Sequence, residues 1–266
     1  MTYDPSSVLL TDRVAIVTGA GQGLGKATAT LLARFGARLA IVDRVASTLA
    51  ATEQELAAAG QPALARRLDV RDRDAVTSFL ADVAAEYGPV DALVNNAGGT
   101  FFSPFLEVTE KGEHTLMLEN FVQVTSLIRA VVPLMPDGGT IVNLTSIEAH
   151  QAAPGFAVYG AMKAALSHLT RTLALELASR RIRVNAVAPD AIPTGGDRDV
   201  RAEMLSGGGE YEPAVVPPLG FMGSDEDAAA AVLFLTSDLS RFVTGTTIHV
   251  DGGNWAAGGW RRVSSD

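Results

Sequence analysis

The feature that most limits the fold of this chain is an order of elements: short β-branched runs alternate with longer stretches of helical spacing. Val14-Ala15-Ile16-Val17-Thr18 opens the cycle. It shows no polar alternation, so it is expected to be a strand buried on both faces. Residues 25–35 read as a helix, 39–42 as a strand, and 45–59 as a helix closed by Gly60. Strands then follow near 63–68, 92–95, 140–144, 183–187 and 247–250. Helices are expected at 71–87, 109–135, 156–179 and 225–235. Alternation with short links means parallel strands joined by right-handed crossovers, with helices on both faces. The expectation is an α/β fold: one Rossmann-type, doubly wound parallel sheet spanning residues 1–266 as a single domain. Residues 189–223 break the cycle. A proline- and glycine-rich loop of this length in a compact domain is usually functional, and it is read as a substrate loop. Residues 252–266 form a glycine-rich tail.

Composition narrows the function classes. The net charge is −9 over 266 residues. A phosphate-binding surface needs a basic patch, and none is visible, so no nucleic-acid partner is expected. Anionic membranes are disfavoured for the same reason. No uninterrupted apolar run reaches the roughly 18 residues of a membrane span, and the start has no basic region followed by an apolar core. The chain has no cysteine, which excludes disulfides, thiol nucleophiles and thiolate metal sites. The expected setting is the cytoplasm. The histidines other than His150, namely His114, His168 and His249, look scattered, and no metal site is expected.

Two regions carry chemistry. Thr18-Gly19-Ala20-Gly21-Gln22-Gly23-Leu24-Gly25 joins the first strand to the first helix. Alone, a glycine-rich turn says little. In this position it lets backbone approach a pyrophosphate, which the helix N-terminus then holds through free N–H groups. Gly19, Gln22, Gly23 and Leu24 are therefore candidate cofactor contacts. Asp43 ends the second strand. A carboxylate there accepts hydrogen bonds from both ribose hydroxyls of NAD and repels the 2′-phosphate of NADP. NAD is the expected cofactor, with the adjacent Arg44 able to soften the preference.

The second region is Tyr159-Gly160-Ala161-Met162-Lys163. Four residues on a helix is one turn, so phenol and amine share a face. A phenol is a poor base at neutral pH, and a neighbouring ammonium favours its ionised form. By itself such a pair is common on protein surfaces. Ser146, at the end of the fifth strand, changes its meaning: ligands bind at strand ends in open parallel sheets, and a hydroxyl there could hold a substrate oxygen near the phenol. Asn120 sits mid-helix, where asparagine is a mediocre helix former. It is either a satisfied polar residue or the holder of a water in a proton path.

With these motifs in order, joined by Asp69-Val70, Asn95-Asn96-Ala97-Gly98, Asn185 with Pro189 and Val250-Asp251-Gly252-Gly253, the chain resembles a short-chain dehydrogenase/reductase over about residues 12–253. The resemblance implies a catalytic set of Asn120, Ser146, Tyr159 and Lys163. In it Tyr159 is the general acid/base. Lys163 holds the nicotinamide ribose, Ser146 orients the substrate oxygen, and Asn120 anchors a water linking Lys163 to solvent. It also implies that Asp69 and Val70 flank the adenine, that Asn95 lines the ribose side and that Thr194 meets the carboxamide end. A homotetramer is implied as well. Three places depart from the family pattern: Pro189-Asp190 where Pro-Gly is usual, Glu113-His114 where an aromatic is common, and Thr145-Ser146 in place of a serine pair.

The implied reaction interconverts a secondary alcohol and a ketone. An apolar cyclic or steroid-like substrate is preferred, with Phe101, Phe102, Phe105, Phe156, Phe221 and Met222 as candidate pocket wall. Glu148 and His150, close after Ser146, could face the pocket or the solvent. One rival is a 3-ketoacyl carrier-protein reductase of the same family; another is a nucleotide-sensing binding protein without catalysis.

Overall fold

The computed structural model describes residues 2–193 and 216–258. Seven parallel strands form one sheet: β1 (Val14–Thr18), β2 (Arg38–Asp43), β3 (Leu64–Arg67), β4 (Ala92–Asn95), β5 (Thr140–Leu144), β6 (Arg183–Pro189) and β7 (Thr247–Val250). Their order is β3-β2-β1-β4-β5-β6-β7. The chain therefore reverses direction of travel between β1 and β4, which opens a crevice at the strand carboxyl ends. The central strands are mainly apolar, and every residue of β1, β4 and β5 is buried. Burial on both faces follows from helices on both sides.

One face is covered by α1 (Gly23–Arg34), α2 (Ala46–Ala58) and α7 (Asp225–Thr236). Here Ile41, Val17, Leu32 and Val232 meet in one core. The other face is covered by α3 (Arg73–Tyr87), the pair α4 (Glu110–Met117) and α5 (Gln123–Val131), and α6 (Ala157–Glu176). There Ile16, Phe79, Leu127, Ile141 and Leu166 form a second core. The outer strand β3 is short and carries Arg66 and Arg67, which suits an exposed edge.

The stretch Glu110–Leu134 is helical throughout and is long and apolar enough to cross a membrane by length and composition. Its apolar face, with Leu116, Val124, Leu127, Ile128 and Val131, is buried in the core, which accounts for that composition.

Four strands span the residues expected of them. The others extend by a residue or two or, for β3, shrink, as boundaries of short elements do. At Pro189-Asp190, where the sequence departs from the usual Pro-Gly, the left-handed angle falls on Ala191, at φ 54°. Asp190 continues the β6–β7 ladder by donating from its N–H to Val250 O (3.0 Å), and its carboxylate accepts from Asn254 Nδ2 at 2.7 Å.

Candidate active site

At the crevice, the glycine-rich turn is built by close approach. A methyl group on Gly25 would lie 2.0 Å from Gly19 O and 2.4 Å from Asn96 Nδ2. Only glycine fits there. Asn96 fastens the turn to β4: its Nδ2 donates to Thr18 O (2.9 Å) and Gly19 O (3.1 Å). Helix α1 then starts at Gly23 behind Gln22, with no side chain capping its first N–H groups and no acidic residue in its first turn. These free donors and the positive end of the helix dipole fit a pyrophosphate. Asp43 stands beside them. Its carboxylate accepts from Gly21 N and Val45 N, both at 2.9 Å. It is thereby fixed at the end of β2, with lone pairs left to accept from ribose hydroxyls.

Further along the crevice, Asp69 takes a bidentate hydrogen bond from Arg71, Nε to Oδ1 and Nη2 to Oδ2, which holds its carboxyl below the usual range. Arg71 also reaches Glu119 (3.1 Å), and Glu119 in turn pairs with Arg44 (2.9 Å). Glu119 was not singled out in the sequence. It ties the β2, β3 and α4 ends of the crevice together. Val70 packs against the second core. Asn95 differs from its expected place. Its side chain is 1% exposed and points inward, donating from Nδ2 to Asn143 Oδ1 at 2.8 Å. Only its backbone is left to face a ribose. Asn143 then donates to Thr170 Oγ1 (2.9 Å), a buried polar relay whose sole sequence signal was an asparagine inside an apolar strand. Thr194 lies outside the described residues, as does Trp260.

Of the four candidate catalytic residues, Lys163 is the one that links others: it bonds to the end of β5, lies by the Tyr159 ring and is separated from Asn120 by Gly98. Asn120 is fully buried. Its Nδ2 donates to Leu116 O, four residues back, at 3.0 Å, and to Gly99 O at 2.8 Å. A side chain competing for a helical carbonyl disturbs the ladder, and the helix here widens into a π turn over Leu118–Val122. Tyr159 and Lys163 lie one turn apart on α6. Lys163 Nζ sits 5.5 Å from the centre of the Tyr159 ring and donates to Leu144 O at 2.9 Å. Burial pushes its ammonium down to about 8, against the pull of Glu148. Gly98 stands between Lys163 and Asn120: a methyl group on it would be 2.9 Å from Asn120 Oδ1 and 3.5 Å from Lys163 Nζ. Ser146 follows two residues after Leu144, is 7% exposed, and donates from its hydroxyl to the Glu148 carboxylate. Thr145 is spent on the fold, donating to Val187 O at 3.0 Å.

A family profile described as Enoyl-(Acyl carrier protein) reductase matches residues 19–254. The chain belongs to the short-chain dehydrogenase/reductase family. Among relatives of this family, a 3-oxoacyl-[acyl-carrier-protein] reductase of Staphylococcus epidermidis is 37% identical over 249 residues, 91% of this chain and 98% of that protein. An uncharacterized oxidoreductase of Mycobacterium tuberculosis is 36% identical over 92% of each chain. A solved 7α-hydroxysteroid dehydrogenase, complexed with NADH and 7-oxo glycochenodeoxycholic acid, superposes with a TM-score of 0.86 at 31% identity, covering 95% of this chain and 98% of that one. As a short-chain dehydrogenase/reductase, the protein is an oxidoreductase.

On the substrate side, His249, which looks scattered in the sequence, packs on His150 with ring centres 4.7 Å apart, and Trp255 stacks on His249 at 5.5 Å. The three are separated in sequence: His150 follows the 3-10 turn after Ser146, His249 lies on β7, and Trp255 comes just after it. Phe102 and Phe156 form an edge-on pair at 5.8 Å. Phe105 and Phe221 are exposed. Among the described residues no group of three or more His, Asp or Glu is placed to hold a metal.

Proposed function

We propose that the protein is an NAD-dependent oxidoreductase that interconverts a secondary alcohol and a ketone, preferring an apolar cyclic or steroid-like substrate. The observation that carries this reading is the placing of Lys163, which lies 5.5 Å from the centre of the Tyr159 ring and donates to Leu144 O at the end of β5, two residues before Ser146. Bound NAD would supply the hydride acceptor. The glycine-rich turn at Gly19, Gln22, Gly23 and Leu24 would hold its pyrophosphate and Asp43 its adenine ribose. Asp69 and Val70 would flank the adenine, and the Asn95 backbone and Thr194 would lie along the rest. Tyr159 takes the carbinol proton in oxidation and returns it in reduction. Lys163 holds the nicotinamide ribose and, as an ammonium, favours phenolate over phenol. Ser146 donates a hydrogen bond to the substrate oxygen, where negative charge grows in the transition state. Asn120 anchors a water on the path from Lys163 to solvent.

Residues 1–266 act as one domain in this reading, with residues 189–223 as the substrate loop. The protein works as a homotetramer in the cytoplasm on a small molecule, with no nucleic-acid or membrane partner. Leu106 is 95% and Phe242 98% exposed, which supports burial between subunits.

A second reading, a 3-ketoacyl carrier-protein reductase, is favoured by the name of the Staphylococcus relative. Asp43 and the charge of −9 weigh against it, since that reaction usually pairs with NADP and a basic docking patch. A screen of hydroxysteroids, cyclic alcohols, sugars and acyl thioesters, each with both cofactors, decides between them. NAD reduction by cyclic or steroidal alcohols is expected. Turnover of acyl thioesters alone, with NADPH, would establish the second reading instead.

A further inference from the structure

The proposed reaction leaves one half-buried carboxyl at the site unused. Glu148 lies in the 3-10 turn Ile147–Ala149 that follows Ser146. The turn is seated against α6 where Gly160 has no side chain: a methyl group there would lie 3.0 Å from Glu148 O and 3.7 Å from Glu148 Cβ. So seated, the carboxylate accepts the Ser146 hydroxyl. Among the titratable groups of the elements around it, the charges that act on the carboxyl are Lys163 on α6 and Asp190 just after β6; α6 also carries Tyr159, His168, Arg171 and Glu176, β6 carries Arg183, and His150 closes its own turn. Burial raises the Glu148 carboxyl above its ordinary range; the Ser146 hydrogen bond opposes this, Asp190 adds to it and Lys163 opposes it.

A hydroxyl has a single proton to donate. While Ser146 gives it to an ionised carboxylate, none is left for the substrate oxygen. A neutral carboxyl can instead donate to Ser146 Oγ, and Ser146 then turns its own proton outward. We propose that Glu148 is a positioning residue that gates Ser146: the neutral carboxyl releases the serine proton to the substrate oxygen, and the carboxylate withholds it. Both directions pass through one transition state with charge on that oxygen, so both lose when Glu148 ionises. Glu148 takes up and returns a solvent proton and is not consumed.

This inference rests on the alcohol–ketone reading, and its test separates the two. kcat/KM for ketone reduction is measured against pH in the wild type and in Glu148→Gln, whose neutral amide can still donate to Ser146. The wild type is expected to fall about tenfold as Glu148 ionises, the worth of one charge-assisted hydrogen bond. Glu148→Gln should lack that fall and keep only the limb at higher pH. Coincident profiles would overturn the proposal while leaving the alcohol–ketone reading intact. Infrared titration of the free protein needs no turnover. The carboxyl band lost in Glu148→Gln should ionise at higher pH in Ser146→Ala, because the bond favouring the carboxylate is gone. An unmoved midpoint would overturn the gate even if no alcohol or ketone is ever turned over.

Discussion

The two ends of the crevice hold their polar groups by different means. At the adenine end, the side chains of Asp69, Arg71 and Arg44 are 36%, 33% and 60% exposed. They form an ion network in contact with water. At the catalytic end, Asn120, Asn143, Thr170, Ser146 and Lys163 are all buried and make directed hydrogen bonds to backbone and side-chain partners. Surface pairs are screened and contribute about 0–1 kcal/mol each. Buried polar groups are costly unless bonded, and low dielectric strengthens whatever they do. On the proposed reading, selectivity belongs to the first end and chemistry to the second. Changes at the catalytic end should therefore move rates by orders of magnitude, and changes at the adenine end should move ratios.

The largest effect is expected from Tyr159→Phe. Removing a general acid/base costs about 10²–10⁴ in rate. The loss should appear in kcat, while the dissociation constant for NAD, followed by fluorescence quenching, stays within a few-fold. A variant retaining wild-type kcat would take the chemistry away from this end altogether.

Lys163→Met should uncouple activity from stability. A buried ammonium lowered from 10.5 to about 8 binds its proton less tightly in the folded state than in the unfolded one. Its burden is fully present below pH 8 and disappears as pH rises from about 8 to 10.5. Allowing for the lost bond to Leu144 O, Lys163→Met is expected to stabilise the cofactor-free protein at pH 7 by about 1–3 kcal/mol, with the advantage fading toward pH 10.5, while turnover is lost. Calorimetry across that range checks the sign. A destabilised variant at pH 7 would mean that the lysine is structural.

Asp43→Ala tests the first end. Removing the carboxylate deletes two ribose hydrogen bonds and the repulsion of a 2′-phosphate. The ratio of kcat/KM for NAD over NADP should fall about 10- to 100-fold. An unchanged ratio would mean that cofactor choice is made elsewhere.

Much of this was legible in the chain. Unbroken apolar runs such as Val14-Ala15-Ile16-Val17-Thr18 marked parallel strands, because burial on both faces removes polar alternation. The glycine-rich turn and the Tyr159–Lys163 spacing carry local geometry, so the sequence displayed them directly. What stayed hidden depends on distant residues meeting. The inward turn of Asn95 needs Asn143 on the neighbouring strand. The stacking of His249 on Trp255 beside His150 joins three elements. Likewise the left-handed angle at Ala191 follows an Asp190 held by Val250 and Asn254, residues distant in the chain. Spacing reports on contacts within one helix or turn; it is silent on side chains that choose between partners across the sheet.

The smallest effect, and the sharpest check on the contrast, is expected from Glu119→Gln. Glu119 is the least exposed member of the adenine-end network, at 15%, and it receives both Arg44 and Arg71. It also neighbours Asn120, so it could belong to either end. If it acts as a surface pair, its loss should cost less than about 1 kcal/mol, a shift in Tm of about 2–4 °C or less, and the difference should shrink in 1 M salt, where the screening length is about 3 Å. Freed of its partner, Arg44 would be available to a 2′-phosphate, so KM for NADP should drop a few-fold with kcat for NAD unchanged. A loss of several kcal/mol, insensitive to salt and accompanied by a fall in kcat, would show that the network is fastened to the catalytic helix. The two ends would then be one unit, and selectivity could not be altered without touching the chemistry.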